Sequence, residues 1–103
     1  MGHIKSVLLE ELENSRKMKV LYEKKLASLP KGSLTMMKRR GIKYCYLKYR
    51  EGKRVRNVYM GKAGKELVQK YKSVKEERKR LRELLSEVKK QIKFISGAVR
   101  GKE

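Results

Sequence analysis

Tryptophan is absent from this chain, and cysteine, histidine, proline and phenylalanine each occur once. A lone Cys45 excludes an internal disulfide, and with His3 the only histidine no set of metal ligands can be assembled. Cys45 reads as a small apolar filler of a strand, and His3 as an exposed terminal residue. No apolar run reaches the roughly 18 residues that a membrane-spanning helix needs. The first residues lack the apolar stretch of a secretory signal, so the cytoplasm is the default expectation. Catalytic patterns are missing too. There is no nucleophile–base pair, no glycine-rich phosphate loop and no acidic pair in a plausible cleft, and Ser33 and Cys45 have no candidate base near them in sequence. The expectation is a protein that is not an enzyme and uses no cofactor or metal.

What is abundant is positive charge. Thirty lysines and arginines stand against eleven acidic residues, a net charge of +19 on 103 residues, and the isoelectric point is near 10.3. A solubility surface would explain a net charge of magnitude about 2–8 on a domain this small; +19 calls for a polyanionic partner. The charge is also uneven. Residues 31–62 carry eleven basic side chains and one acidic one, Glu51, whereas residues 1–30 carry six against four and residues 63–103 thirteen against six. Charged residues make up 40% of the chain and hydrophobic ones 39%, a balance suited to long charged helices rather than a thick core. The length is that of one domain, 1–103.

Two helices are predicted. The first covers residues 3–28, where Ile4, Leu8, Leu12, Ser15, Tyr22, Leu26 and Leu29 recur about every 3.5 residues, reinforced by Val7, Met18 and Leu21 and interrupted by Lys19. Glu10, Glu11 and Glu13 near its start and Lys24 and Lys25 near its end follow the polarity of the helix dipole, and Pro30 ends it. The second covers residues 65–96, where Leu67, Tyr71, Val74, Arg78, Leu81, Leu85, Val88, Ile92 and Ile95 alternate spacings of four and three. Gly97 is read as its stop and residues 97–103 as a disordered tail. At roughly 45–50 Å the second helix outreaches the first, so an antiparallel coiled coil between them would leave part of its stripe free for a homodimer.

Between the helices, residues 33–60 read as a three-stranded antiparallel β-meander, giving an α+β fold: long helix, meander, longer helix. Gly41-Ile42 is the expected first turn, with Gly41 at positive φ. That register sets Leu34 opposite Tyr49, Met36 opposite Leu47 and Lys38 opposite Cys45 on a mostly apolar face. It sets Thr35 opposite Lys48, Met37 opposite Tyr46 and Arg39 opposite Tyr44 on a cationic, aromatic face. Strand three is left open. A three-residue loop at Glu51-Gly52-Lys53 places Val55 and Tyr59 on the apolar face and Arg54, Arg56 and Val58 on the basic one; a loop of two or four residues reverses the sets.

Such a surface suits nucleic acid. Lysine and arginine neutralise phosphates with release of counterions, arginine reads guanine edges in the major groove, and tyrosine stacks on unpaired bases. The expected contact residues are Arg39, Arg40, Lys43, Tyr44, Tyr46, Lys48, Arg50, Lys53, Arg54 and Arg56, with duplex DNA slightly preferred over RNA. A solvated face blunted against aggregation by its charges is the competing structural reading. The helical seams, with Leu/Val/Ile stripes and mixed-charge flanks, do not match a membrane-surface helix, so no membrane partner is expected.

The strings LPKGSL, YCYLKYREGKRV and VYMGK resemble a module of small bacterial proteins associated with mobile elements, in which Pro-Lys-Gly-Ser, a Tyr-rich strand, a Tyr-Arg-Glu-Gly turn and a closing Tyr-x-Gly-Lys are flanked by Lys/Glu-rich helices. More loosely, the stretch is similar to the three-stranded arm-binding domains of tyrosine recombinases and to transposase amino-terminal segments, whose sheet sits on duplex DNA. Cys45 stands where related strings tend to have a tyrosine. The mobile-element resemblance implies no established activity, but its context gives the alternative expectation: a protein-interaction module, such as a phage or mobile-element inhibitor of a host CRISPR-type nuclease complex.

Overall fold

In the computed structural model, which describes residues 2–101, the chain is α+β. Helix α1 (Gly2–Ser28) is followed by strands β1 (Ser33–Arg39), β2 (Ile42–Glu51) and β3 (Arg54–Lys62) and by helix α2 (Lys65–Arg100). The strands form one antiparallel sheet in the order β1-β2-β3, with β2 central. The chain gathers into two compact units. One comprises α1 with the part of α2 from Arg78 onward, the other residues Leu29–Glu77.

In the helical unit the buried side chains are Leu12 and Ser15 of α1 and Leu81, Val88 and Val99 of α2. Leu81 is only 1% exposed, which a helix achieves only where a second element covers its stripe. The less exposed positions of α1 are Lys5, Leu8, Leu12, Ser15, Lys19, Tyr22 and Leu26, an unbroken alternation of three and four. Lys19 therefore sits on the stripe rather than interrupting it. The residue is half-buried, and its ammonium reaches Glu23 at 3.8 Å. Ile4, 50% exposed, falls off the stripe, with Lys5 in its place.

Helix α2 does not stop at Gly97. It continues to Arg100, and Val99, one step further along the four–three spacing, is 7% exposed. The burial of Val99 outweighs the cost of about 1 kcal/mol that a glycine imposes inside a helix. Lys102 and Glu103 of the expected tail lie outside the described residues. Arg78 is half-buried on the stripe. Val99 is buried, and Leu67, Val68, Tyr71 and Val74 are half-buried in the unit that holds the sheet.

The first hairpin turns one residue earlier than expected. Arg39 pairs with Ile42, leaving Arg40-Gly41 as a two-residue loop. Both loop residues have positive φ, 52° and 78°, as a type I′ turn requires. Ile42, β-branched, is better used in a strand than in a turn, and the unbranched Arg40 takes the left-handed position at a cost of about 1–2 kcal/mol. The pairs become Leu34 with Leu47, Met36 with Cys45, and Met37 with Tyr44. Each partner on β2 has moved by two residues, so every side chain keeps the face expected for it.

In the second hairpin Glu51 pairs with Arg54 around a Gly52-Lys53 loop with Gly52 alone at positive φ, the type II′ pattern. This is the two-residue alternative. Arg54, Arg56 and Val58 share a face with Glu51, Tyr49 and Leu47, and Val55 and Tyr59 lie opposite Arg50 and Tyr46 on the other. A bulge then intervenes. Tyr46 pairs with Tyr59 but Cys45 with Gly61, leaving Met60 as the extra residue. The ladder runs on past it, with Tyr44 opposite Lys62 and the Ala63 amide donating to the Lys43 carbonyl at 2.9 Å.

Candidate functional site

The alternation of β2 divides the sheet into a covered and an open face. On the covered face Cys45 is 0% exposed, flanked by half-buried Leu34, Leu47 and Tyr49. Gly32 closes down on the same side. A Cβ there would stand 2.8 Å from the Lys48 carbonyl oxygen and 3.1 Å from both Leu47 Cδ1 and Tyr49 Cβ, and its φ is +94°. The Lys-Gly-Ser link into β1 thus demands glycine for two independent reasons, close approach and backbone sign.

The open face can be read in cross-strand rows. Nearest the first turn, Arg39 faces Ile42; next come Met37, Tyr44 and Lys62; then Thr35, Tyr46 and Tyr59; then Ser33, Lys48 and Asn57; and last Arg50 with Val55. At about 3.4 Å per residue the rows span about 27 Å. Tyrosines hold the middle and cations hold both ends. Tyr59 packs its ring against Tyr46 (centroids 5.4 Å apart, planes at 53°) and Tyr44 (6.2 Å, 47°). Tyr44 and Tyr46 are half-buried while Tyr59 is 55% exposed. The Thr35 hydroxyl donates to the Tyr46 carbonyl at 3.2 Å, which ties β1 to the centre of this face.

The ten expected contact residues do not all share this face. Arg39, Tyr44, Tyr46, Lys48 and Arg50 do. Arg40 and Lys53 occupy the two turns, at opposite ends of β2. Lys43, Arg54 and Arg56 belong to the covered face, and all three project at its exposed margin. Arg54 and Arg56 are misplaced under the three-residue-loop alternative because a two-residue turn reverses the parity of β3. On that side Arg56 is engaged: its Nε lies 3.1 Å from Glu51 Oε2. Glu51 is the one acidic residue of the meander, and it sits on the covered side. The open face therefore carries Arg39, Lys48, Arg50 and Lys62 with no acidic side chain among the strand residues.

Tyr59 and Lys62 are the tyrosine and the cation of the open face that the expected contact set omits. Lys62 arrives there through the bulge. Without it, Gly61 would stand opposite Tyr44 and Lys62 would fall on the covered face. The signal in the sequence was Gly61 itself, at φ +104°: an isolated glycine inside a strand pattern marks a bulge.

Among the described residues, shallow depressions of about 500 Å³ beside Lys65, Gln69 and Ser73 and about 400 Å³ beside Glu13, Arg16 and Val20 each run along a single helix. Among the described residues no group of three or more His, Cys, Asp or Glu side chains could hold a metal ion. Among them, too, no helix is long and apolar enough to cross a membrane.

Residues 9–70 match the model of a family described as a domain of unknown function, DUF6788. The match takes in most of α1, the whole sheet and the first turns of α2, well over half of the chain. Neither the curated proteins nor the solved structures yield a match to the chain.

Proposed function

The chain belongs to the DUF6788 family, and from its open sheet face we propose that it is a non-enzymatic protein that binds nucleic acid. The observation that carries this reading is the composition of one face: four cations, three tyrosines and no carboxylate, on a chain of net charge +19. Phosphates approach such a face without a repulsive group to displace. Among the described residues, none of Arg39, Lys48, Arg50 and Lys62 forms an ion pair that must first be broken. The turn cations Arg40 and Lys53 extend the positive field beyond both ends of the rows.

The electrostatic component has a measurable signature. With about four phosphates neutralised, log K should fall with log salt at a slope of about −3 to −4. Fluorescence anisotropy with labelled 12-mers between 50 and 200 mM salt should then show affinity dropping by about two orders of magnitude. Affinity that does not change across that range overturns the proposal. So does the absence of binding to DNA and RNA, single- and double-stranded alike, at 50 mM salt.

A further inference from the structure

The layout of the open face distinguishes between forms of nucleic acid. Resting on the nucleic-acid reading above, we propose that its preferred ligand is an unpaired strand, with one base stacked on Tyr59 and a neighbouring base on the Tyr44 side of the cluster.

The first argument is position. In a duplex the flat faces of the bases cover one another, and a protein reaches only their edges, chiefly with Arg, Lys, Asn and Gln. The two central rows of this face hold Met37, Tyr44 and Lys62, then Thr35, Tyr46 and Tyr59. Apart from Lys62 at the β3 edge of its row, these two rows hold no edge-reading group, and their β2 positions are both rings. Rings are what an unstacked base seeks, and every base has a face to offer.

The second argument is spacing. Tyr44 and Tyr59 have centroids 6.2 Å apart with planes inclined at 47°. Bases in a stacked strand follow each other at about 3.4 Å, so two bases resting on these rings must be separated from one another and tilted, as in a splayed strand. Tyr59 is the most exposed of the three rings, at 55%, and its tilted contacts with Tyr44 and Tyr46 brace it.

The third argument is the arrangement of charge. Lys62 stands beside Tyr44 in one row, and Lys48 and Asn57 form the row beyond Tyr46 and Tyr59. A strand whose bases lie on the tyrosines has cations for its phosphates on either side of them. This differs from the sequence-based preference for duplex DNA. That preference weighed the arginines, three of which (Arg40, Arg54 and Arg56) lie in a turn or on the other face.

The test compares a mixed-sequence 12-mer as single-stranded DNA, as single-stranded RNA and as duplex DNA, by anisotropy at fixed moderate salt. The single strands should bind at least about tenfold tighter than the duplex. Tyr59→Leu, which keeps apolar bulk but removes the ring, should weaken single-strand binding by about five- to 150-fold. It should leave the duplex within about twofold, and Tyr59→Phe should stay within about threefold of the unmodified chain. The chain lacks tryptophan, so its tyrosine emission can be read directly. Single strands should quench it and the duplex should not, a result independent of how any variant folds. Duplex binding as tight as single-strand binding, an unaltered Tyr59→Leu variant, or unquenched tyrosine emission each overturns the proposal while leaving the nucleic-acid reading in place. No binding to any of the three oligonucleotides removes both.

Discussion

The two faces of the sheet share one backbone and differ in almost everything else. One encloses Cys45 completely, presses Gly32 against the Lys48 carbonyl and takes in the single carboxylate of the strands. The other, made of the intervening residues, buries none of its side chains fully and concentrates cations around a tyrosine cluster. Because successive side chains point to opposite sides, neighbours in sequence are assigned to stability or to contact one by one. Cys45 lies between Tyr44 and Tyr46, so a tyrosine at that position would not lengthen the aromatic row; it would point into the covered side. Lesions on the covered face should alter folding and spare binding, and lesions on the open face should do the reverse.

The strongest test of that division is charge reversal on the open face. Arg39→Glu with Lys48→Glu should weaken oligonucleotide binding by about a hundredfold or more at low salt, by removing two phosphate contacts and adding two repulsions. Circular dichroism should show the same helical content. Unchanged affinity would mean that the contact surface lies elsewhere. Gly32→Ala comes next. The left-handed backbone alone costs an L-residue about 1–2 kcal/mol, and the new Cβ meets a backbone oxygen that cannot swing aside. An unfolding free energy in urea lowered by that amount or more, with the folded protein binding normally, is the expected outcome.

Cys45→Leu tests the centre of the covered face. Added volume at a fully enclosed position should cost about 1–3 kcal/mol, seen in chemical denaturation, with affinity held within about twofold. If the variant bound poorly while fully folded, the two faces would be coupled and the division too simple. Glu51→Gln is the mildest probe. It releases Arg56 from an ion pair whose side chains are more than half exposed, so stability should change by at most about 1 kcal/mol. It raises the net charge by one on the covered side, and affinity should rise by less than about twofold. A larger rise would place Arg56 in the contact surface after all.

How far the sequence reached follows the range of the interactions involved. Both helices, all three strands and the concentration of charge in residues 31–62 could be read directly, because hydrophobic period and composition are local properties. The faces of β1 and β2 were also legible, even with the turn placed one residue late. Moving the turn by one shifts each partner by two, and parity survives. Gly97 signals a stop locally, but the helix runs on to Arg100 because Val99 beyond it is buried. Lys19 reads as a break in the stripe by its charge, yet the residue is half-buried.

The alternation of side chains along each strand and the balance of charge belong to the sequence by itself, since each depends only on neighbouring residues and the pleat of an extended backbone. Which face each residue of β3 joins was decided by the tertiary structure. Whether Arg40 accepts a left-handed conformation, whether the second loop holds two residues or three, and where a bulge inserts Met60 are settled by the pairing of all three strands at once. Those choices carried Arg54 and Arg56 away from the open face and brought Tyr59 and Lys62 onto it. Burial supplies the physical reason. The observed register sets Leu34 directly opposite Leu47, next to the enclosed Cys45, and that burial helps offset a strained turn and an interrupted ladder.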